Sequence, residues 1–109
     1  MGDELGTVIA ERVLTCVDPD RGSVPIHVRL GAPQPCGDGK DWHCPWQIHG
    51  VGSEEVLRAY GVDAFQSLQM AMSMIGATLY AQVDLYGAKL TWLDPNDSDL
   101  GFPDPALRG

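Results

Sequence analysis

Residues 24–30, VPIHVRL, alternate apolar and polar side chains without a break. Strand side chains alternate between faces, so Val24, Ile26, Val28 and Leu30 share an inner face and Pro25, His27 and Arg29 an outer one. The same period of two runs through residues 42–49, DWHCPWQIHG with its flanks. It predicts Trp42, Cys44, Trp46 and Ile48 inward and His43, Pro45, Gln47 and His49 outward. Residues 7–17, TVIAERVLTCV, are rich in β-branched types and read as the first strand. Two apolar sets compete for its inner face: Ile9, Val13 and Val17 against Ala10, Leu14 and Cys16. Residues 55–60, EVLRAY, read as a short fourth strand after a GVGSE turn. The connections DPDRGS (18–23) and GAPQPCGDGK (31–40) carry turn chemistry.

At Asp63 the period changes. Phe65, Leu68, Met72, Ile75 and Leu79 recur by threes and fours, the pattern of a helix with one buried stripe. Asp63 is suited to the N-cap, and Gln66, three residues on, to a capping box. The helix should stop before Gly87. KLTWL adds a short extended piece, and the acidic, proline-rich residues 94–109 predict a mostly irregular tail. The expected fold is α+β: an antiparallel sheet of about four strands covered on one face by one long helix in the C-terminal half, in the order β-β-β-β-α. Residues 1–93 form one domain in this reading, and 94–109 an appendage.

Charge sharpens the picture. With 109 residues and a net charge of −8, the surface repels nucleic-acid phosphates and anionic headgroups. The expected partner is a basic protein, with no role for nucleic acid or membrane. The three cysteines cannot all pair within one chain, which suits a reducing, cytoplasmic setting. MGDELGTV has acids where a signal peptide carries bases. The uncharged run 64–83 has the length of a membrane span, but Gln66, Gln69, Ser73, Thr78 and Gln82 are spread along it and no basic residues flank it.

That run matters for another reason. Its outer side carries Gln66, Gln69, Met70, Ser73, Ala77 and Tyr80, where a solvated helix ordinarily carries Lys or Glu. Either the chain beyond residue 84 folds back over it, or it is a partner surface. The second reading makes the chain a homodimer, with Met70, Ser73, Ala77 and Tyr80 as the contact patch.

Candidate chemistry is sparse. Cys36, His43, Cys44 and His49 could in principle ligate zinc, but their C-x6-H-C-x4-H spacing matches no finger or ribbon, and His43 and Cys44 point to opposite faces. WHCPW lacks the second cysteine of a C-x-x-C dithiol, since Gln47 stands there. A Cys44–histidine nucleophile would have to reach through the sheet. DPNDSDLG begins like a calcium loop but has Asp99 in place of the turn glycine and Pro105 in place of the bidentate glutamate. The expectation is no catalytic set, no metal and no cofactor. The function that fits is a non-enzymatic protein-binding domain, such as an antitoxin- or immunity-type inhibitor of a basic protein. A Cys/His-dependent enzyme or metal sensor and a homodimeric accessory domain are the alternatives.

The segments ERVL, VRLGAPQP, DWHCPWQIHGVG and GVDAFQSLQMAM, in that order, resemble a family of small bacterial proteins of unknown function. The resemblance implies a bacterial chain and brings no activity with it. GVDAFQSL also has a looser likeness to the strand-to-helix junction of HicB-type antitoxins, without their acidic pair before the alanine.

Overall fold

A computed structural model describes residues 5–50 and 54–105. Strands β1 (Val8–Asp18), β2 (Gly22–Gly31), β3 (Gln34–Pro35), β4 (Trp42–His49) and β5 (Leu57–Gly61) precede helix α1 (Ala64–Tyr86), and β6 (Lys89–Thr91) follows it. All strand pairs are antiparallel, in the spatial order β5-β4-β2-β1-β6, with the two-residue β3 continuing the line of β2 along β4. This is the α+β arrangement expected, an antiparallel sheet against one helix, with two short strands added.

The β1–β2 turn is locked by Asp18, whose Oδ1 accepts from the backbone N–H of Asp20 at 2.8 Å and of Arg21 at 3.0 Å. The register decides which set of β1 faces inward. Leu14 lies opposite Ile26, and directly opposed residues share a face, so the inward facing of β2 carries Leu14 with it. Leu14 is fully buried, whereas Val13 and Val17 are each 48% exposed. Between the pairs Leu30↔Trp46 and Gln34↔His43 the chain advances four residues on one side and three on the other. The surplus residue is absorbed at 31–33, as in a β-bulge. Gly31 is required there, because a Cβ would strike the Leu5 carbonyl and the Pro45 ring. That crowding corrects one expectation: Pro45 lies on the outer side of β4, yet it is buried.

Helix α1 lies over β4 and β5. Asp63 caps it as expected, its Oδ1 accepting from Gln66 N–H at 2.8 Å, and Gln66 Oε1 accepts in return from Val62 N–H. Gly87, at φ 70°, ends it. The buried stripe is rotated from the one the apolar spacing suggests. Ser67, Ala71, Ile75, Gly76, Leu79 and Tyr80 are buried, while Phe65 is 78% exposed and Met72 faces solvent. Size explains the rotation. A Cβ on Gly61, at the end of β5, would collide with the backbone at Gln66 and Ser67. The helix therefore approaches so closely that small residues must meet the sheet.

Residues 94–105 are irregular, as expected, but they pack. Leu100 has no exposed surface and belongs to the core with Leu14, Ile26, Trp46, Ile75 and Leu79. Arg12 holds the segment on β1: Nη1 donates to the carbonyls of Leu100 and Gly101 at 3.1 Å each, and the guanidinium lies 3.7 Å from the Trp92 ring centre and 4.7 Å from that of Phe102. No helix among the described residues is long and apolar enough to cross a membrane.

Candidate functional site

The first candidate surface is the outer side of α1. Met70, Ser73 and Ala77 are exposed there, together with Phe65, Gln66, Gln69, Met72 and Met74. Tyr80 does not belong to it. Its side chain is buried, and its hydroxyl accepts from Leu100 N–H at 3.0 Å, because the chain returning from β6 crosses the C-terminal half of the helix. The tail thus covers one end of this outer face, and the other end is exposed.

The second candidate surface is the open face of the sheet, where all three histidines project. Each has a distinct neighbour. His43 Nδ1 lies 3.7 Å from Cys36 Sγ, and its ring is 6.2 Å from that of Tyr60. His49 Nδ1 lies 2.8 Å from Glu54 Oε1. His27 Nδ1 is 3.5 Å from Glu11 Oε2, without hydrogen-bond geometry, and the same oxygen accepts from Arg29 Nε at 2.7 Å. That Arg29 contact holds the Glu11 carboxyl below the usual carboxylate range.

Of the four metal-ligand candidates, the fold brings Cys36 and His43 together and separates the others. Cys44 is on the core side, fully buried, with its Sγ 3.4 Å from the Gly31 carbonyl. Burial pushes its thiol up to about 11. His49 stands at the far end of β4. Among the described residues no three His, Cys, Asp or Glu side chains converge as a metal site. The Cys36 thiol is also held above its ordinary range, by desolvation and by Asp38 and Asp41, which opposes thiolate chemistry.

Sequence reasoning passed over two pairs, Cys36–His43 and His27–His49. The first is made by the local return of the chain from Cys36 to β4, seven residues on, and the second by strand neighbours far apart in sequence. The alternation of β2 and β4 puts His27 and His49 outward, but only the pairing His27↔His49 makes them adjacent. A cavity of about 300 Å³ lies elsewhere, between the end of α1, β6 and residues 95–98, over Tyr80, Val83, Ala88 and Leu90.

No curated protein and no solved structure matches the chain. Residues 10–104, nearly all of the sheet, the helix and the packed tail, match one family, and the chain belongs to it: Domain of unknown function (DUF6968).

Proposed function

We propose that the chain is a non-enzymatic protein-binding domain that acts through the open part of the outer face of α1. The observation that carries this reading is the stretch from 64 to 83, which has no charged side chain on any face yet leaves Phe65, Met70, Met72 and Met74 exposed. Phe65 and Met72 line one edge of the exposed arc and Met70 and Met74 the other, with Gln66, Gln69, Ser73 and Ala77 between them. Apolar side chains rimming a neutral face mark a contact surface, and methionine adapts to the shape it meets. The partner we propose is a second copy of the chain. Two chains of net charge −8 repel over most of their surfaces, and a neutral helix face is where they meet at least electrostatic cost. The test is sedimentation across a range of concentrations. A dimer in the wild type, and a folded monomer in Ser73→Glu and Met70→Glu, support the reading. A wild type that stays monomeric at high concentration overturns it.

The acidic balance favours a second reading, a cytoplasmic inhibitor of antitoxin or immunity type that covers a basic protein. Its partner would dissociate as salt is raised, whereas contact through the helix face would persist. A Cys/His-dependent activity would run through Cys36 and His43, where desolvation and then Asp38 and Asp41 hold the thiol above its ordinary range and so oppose thiolate chemistry.

A further inference from the structure

The sheet face opposite α1 carries a pair of histidines set directly across from each other on neighbouring antiparallel strands. The ring centres of His27 and His49 are 6.0 Å apart and inclined at 57°. We infer that these two side chains form a binding site for a divalent transition-metal ion of the zinc type, held by Nε2 of both rings, with water completing the coordination.

Three features converge on this. The first is orientation. His49 Nδ1 lies 2.8 Å from Glu54 Oε1, within hydrogen-bond reach, and His27 Nδ1 faces Glu11 Oε2 at 3.5 Å without a hydrogen bond, so the carboxylate sets the tautomer at His49. A neutral imidazole with its proton on Nδ1 presents a bare lone pair on Nε2, and a carboxylate behind a ligating histidine both fixes that tautomer and makes the ring a better donor. The second is separation. Imidazoles that share a tetrahedral ion, each with a Zn–N bond of about 2 Å, have ring centres about 5 Å apart. The observed spacing of 6.0 Å exceeds this by about 1 Å. The third is access and charge. The side chains of His27 and His49 are 30% and 47% exposed, on a chain of net charge −8 that concentrates cations around it. Two imidazoles select zinc, copper or nickel over calcium or magnesium, which prefer oxygen.

The site is separate from the Cys36–His43 pair. His43 lies six residues along β4 from His49, about 20 Å away at strand spacing. Glu54 is a positioning residue here, acting through His49.

Zinc chloride titrated into tag-free protein tests the inference by calorimetry. The wild type should bind one ion per chain. His27→Gln and His49→Gln should each weaken binding more than about tenfold, Glu54→Gln about tenfold, and His43→Gln not at all. Far-UV spectra establish that each variant is folded. If either histidine variant fails to fold, the imidazole nitrogen resonances of the wild type decide: both Nε2 signals must move together as zinc is added. Unchanged binding in His27→Gln and His49→Gln, static Nε2 signals, or loss of binding only in His43→Gln overturns the site.

Discussion

The hydroxyl of Tyr80 accepts a hydrogen bond of 3.0 Å from the backbone N–H of Leu100. This contact joins the inner half of the helix to a segment with no regular structure, and it converts that segment from a tail into a wall of the core. Tyr80→Phe leaves a buried N–H without this acceptor, which costs about 1–3 kcal/mol. Leu100→Ala removes a fully buried side chain and should cost about 2–5 kcal/mol. Urea unfolding of both variants measures these losses. Neutral effects would mean that residues 94–105 do not hold this position in solution.

Gly76 extends the same relationship. In most helices Gly→Ala gains about 1 kcal/mol. Here a Cβ would run into the backbone carbonyl of Pro103, which crosses the helix at that turn. Gly76→Ala should therefore destabilise the protein, with the opposite sign to its helix propensity. A rise in melting temperature would show that the segment lifts away easily.

Trp46 is 2% exposed, and its indole N–H has no acceptor among the described residues. Trp46→Ala should cost about 3–5 kcal/mol through lost burial and a cavity. Trp46→Phe should cost less than half of that, because it removes an unsatisfied donor along with the volume. His43→Ala, on the outer face, should cost less than about 1 kcal/mol. Chemical denaturation ranks the three, and His43→Ala as the most damaging would invert the assigned facing of β4.

Cys44 should be the slowest of the three thiols toward a disulfide reagent at pH 8. Its thiol is pushed up to about 11 by burial, so almost none of it is thiolate at that pH. Labelling should follow unfolding, accelerating with denaturant. Fast labelling of native Cys44 would reopen the nucleophile reading.

Glu11 gives a pH dependence with a definite sign. The hydrogen bond from Arg29 lowers its pKa below 4.5. A depressed carboxylate contributes stability above its unfolded pKa and loses it as the pH falls through the folded one. Glu11→Gln should therefore lower stability slightly near neutrality and converge with the wild type in acid, flattening the profile below about pH 4.5, and the difference should shrink in high salt because the pair is exposed. An identical acid limb in the variant would exclude the pair as a contributor.

Much of this fold is legible in local pattern. The alternation of β2 and β4, the Asp63 cap with Gln66, and the stop at Gly87 each depend on a few adjacent residues, and each appears where the sequence places it. What local pattern misses depends on distant chain. The helix stripe is rotated because Gly61 brings β5 and α1 too close for Phe65 or Met72 to lie between them. Tyr80 is buried by Leu100, twenty residues on. Pro45 is covered by the crowding over Gly31 beside Leu5, far before it in the chain. The histidine pair exists only because β2 and β4 are neighbours in that register.

The open part of the helix face separates two accounts of why it lacks charge. The tail covers the turn at Gly76 and Tyr80 and leaves Phe65, Met70, Ser73 and Ala77 exposed. If the missing charges served only the tail, a charge placed beyond its reach would be harmless in every assay. If the face meets another protein, Met70→Glu should leave the urea midpoint within about 0.5 kcal/mol, as surface changes do, and still abolish self-association. Deleting 94–109 should do the reverse: it removes Leu100 from the core and uncovers Gly76 and Tyr80, lowers stability and promotes aggregation. Sedimentation and denaturation of both variants distinguish the accounts. Unaltered sedimentation of Met70→Glu against a dimeric wild type would place the contact elsewhere.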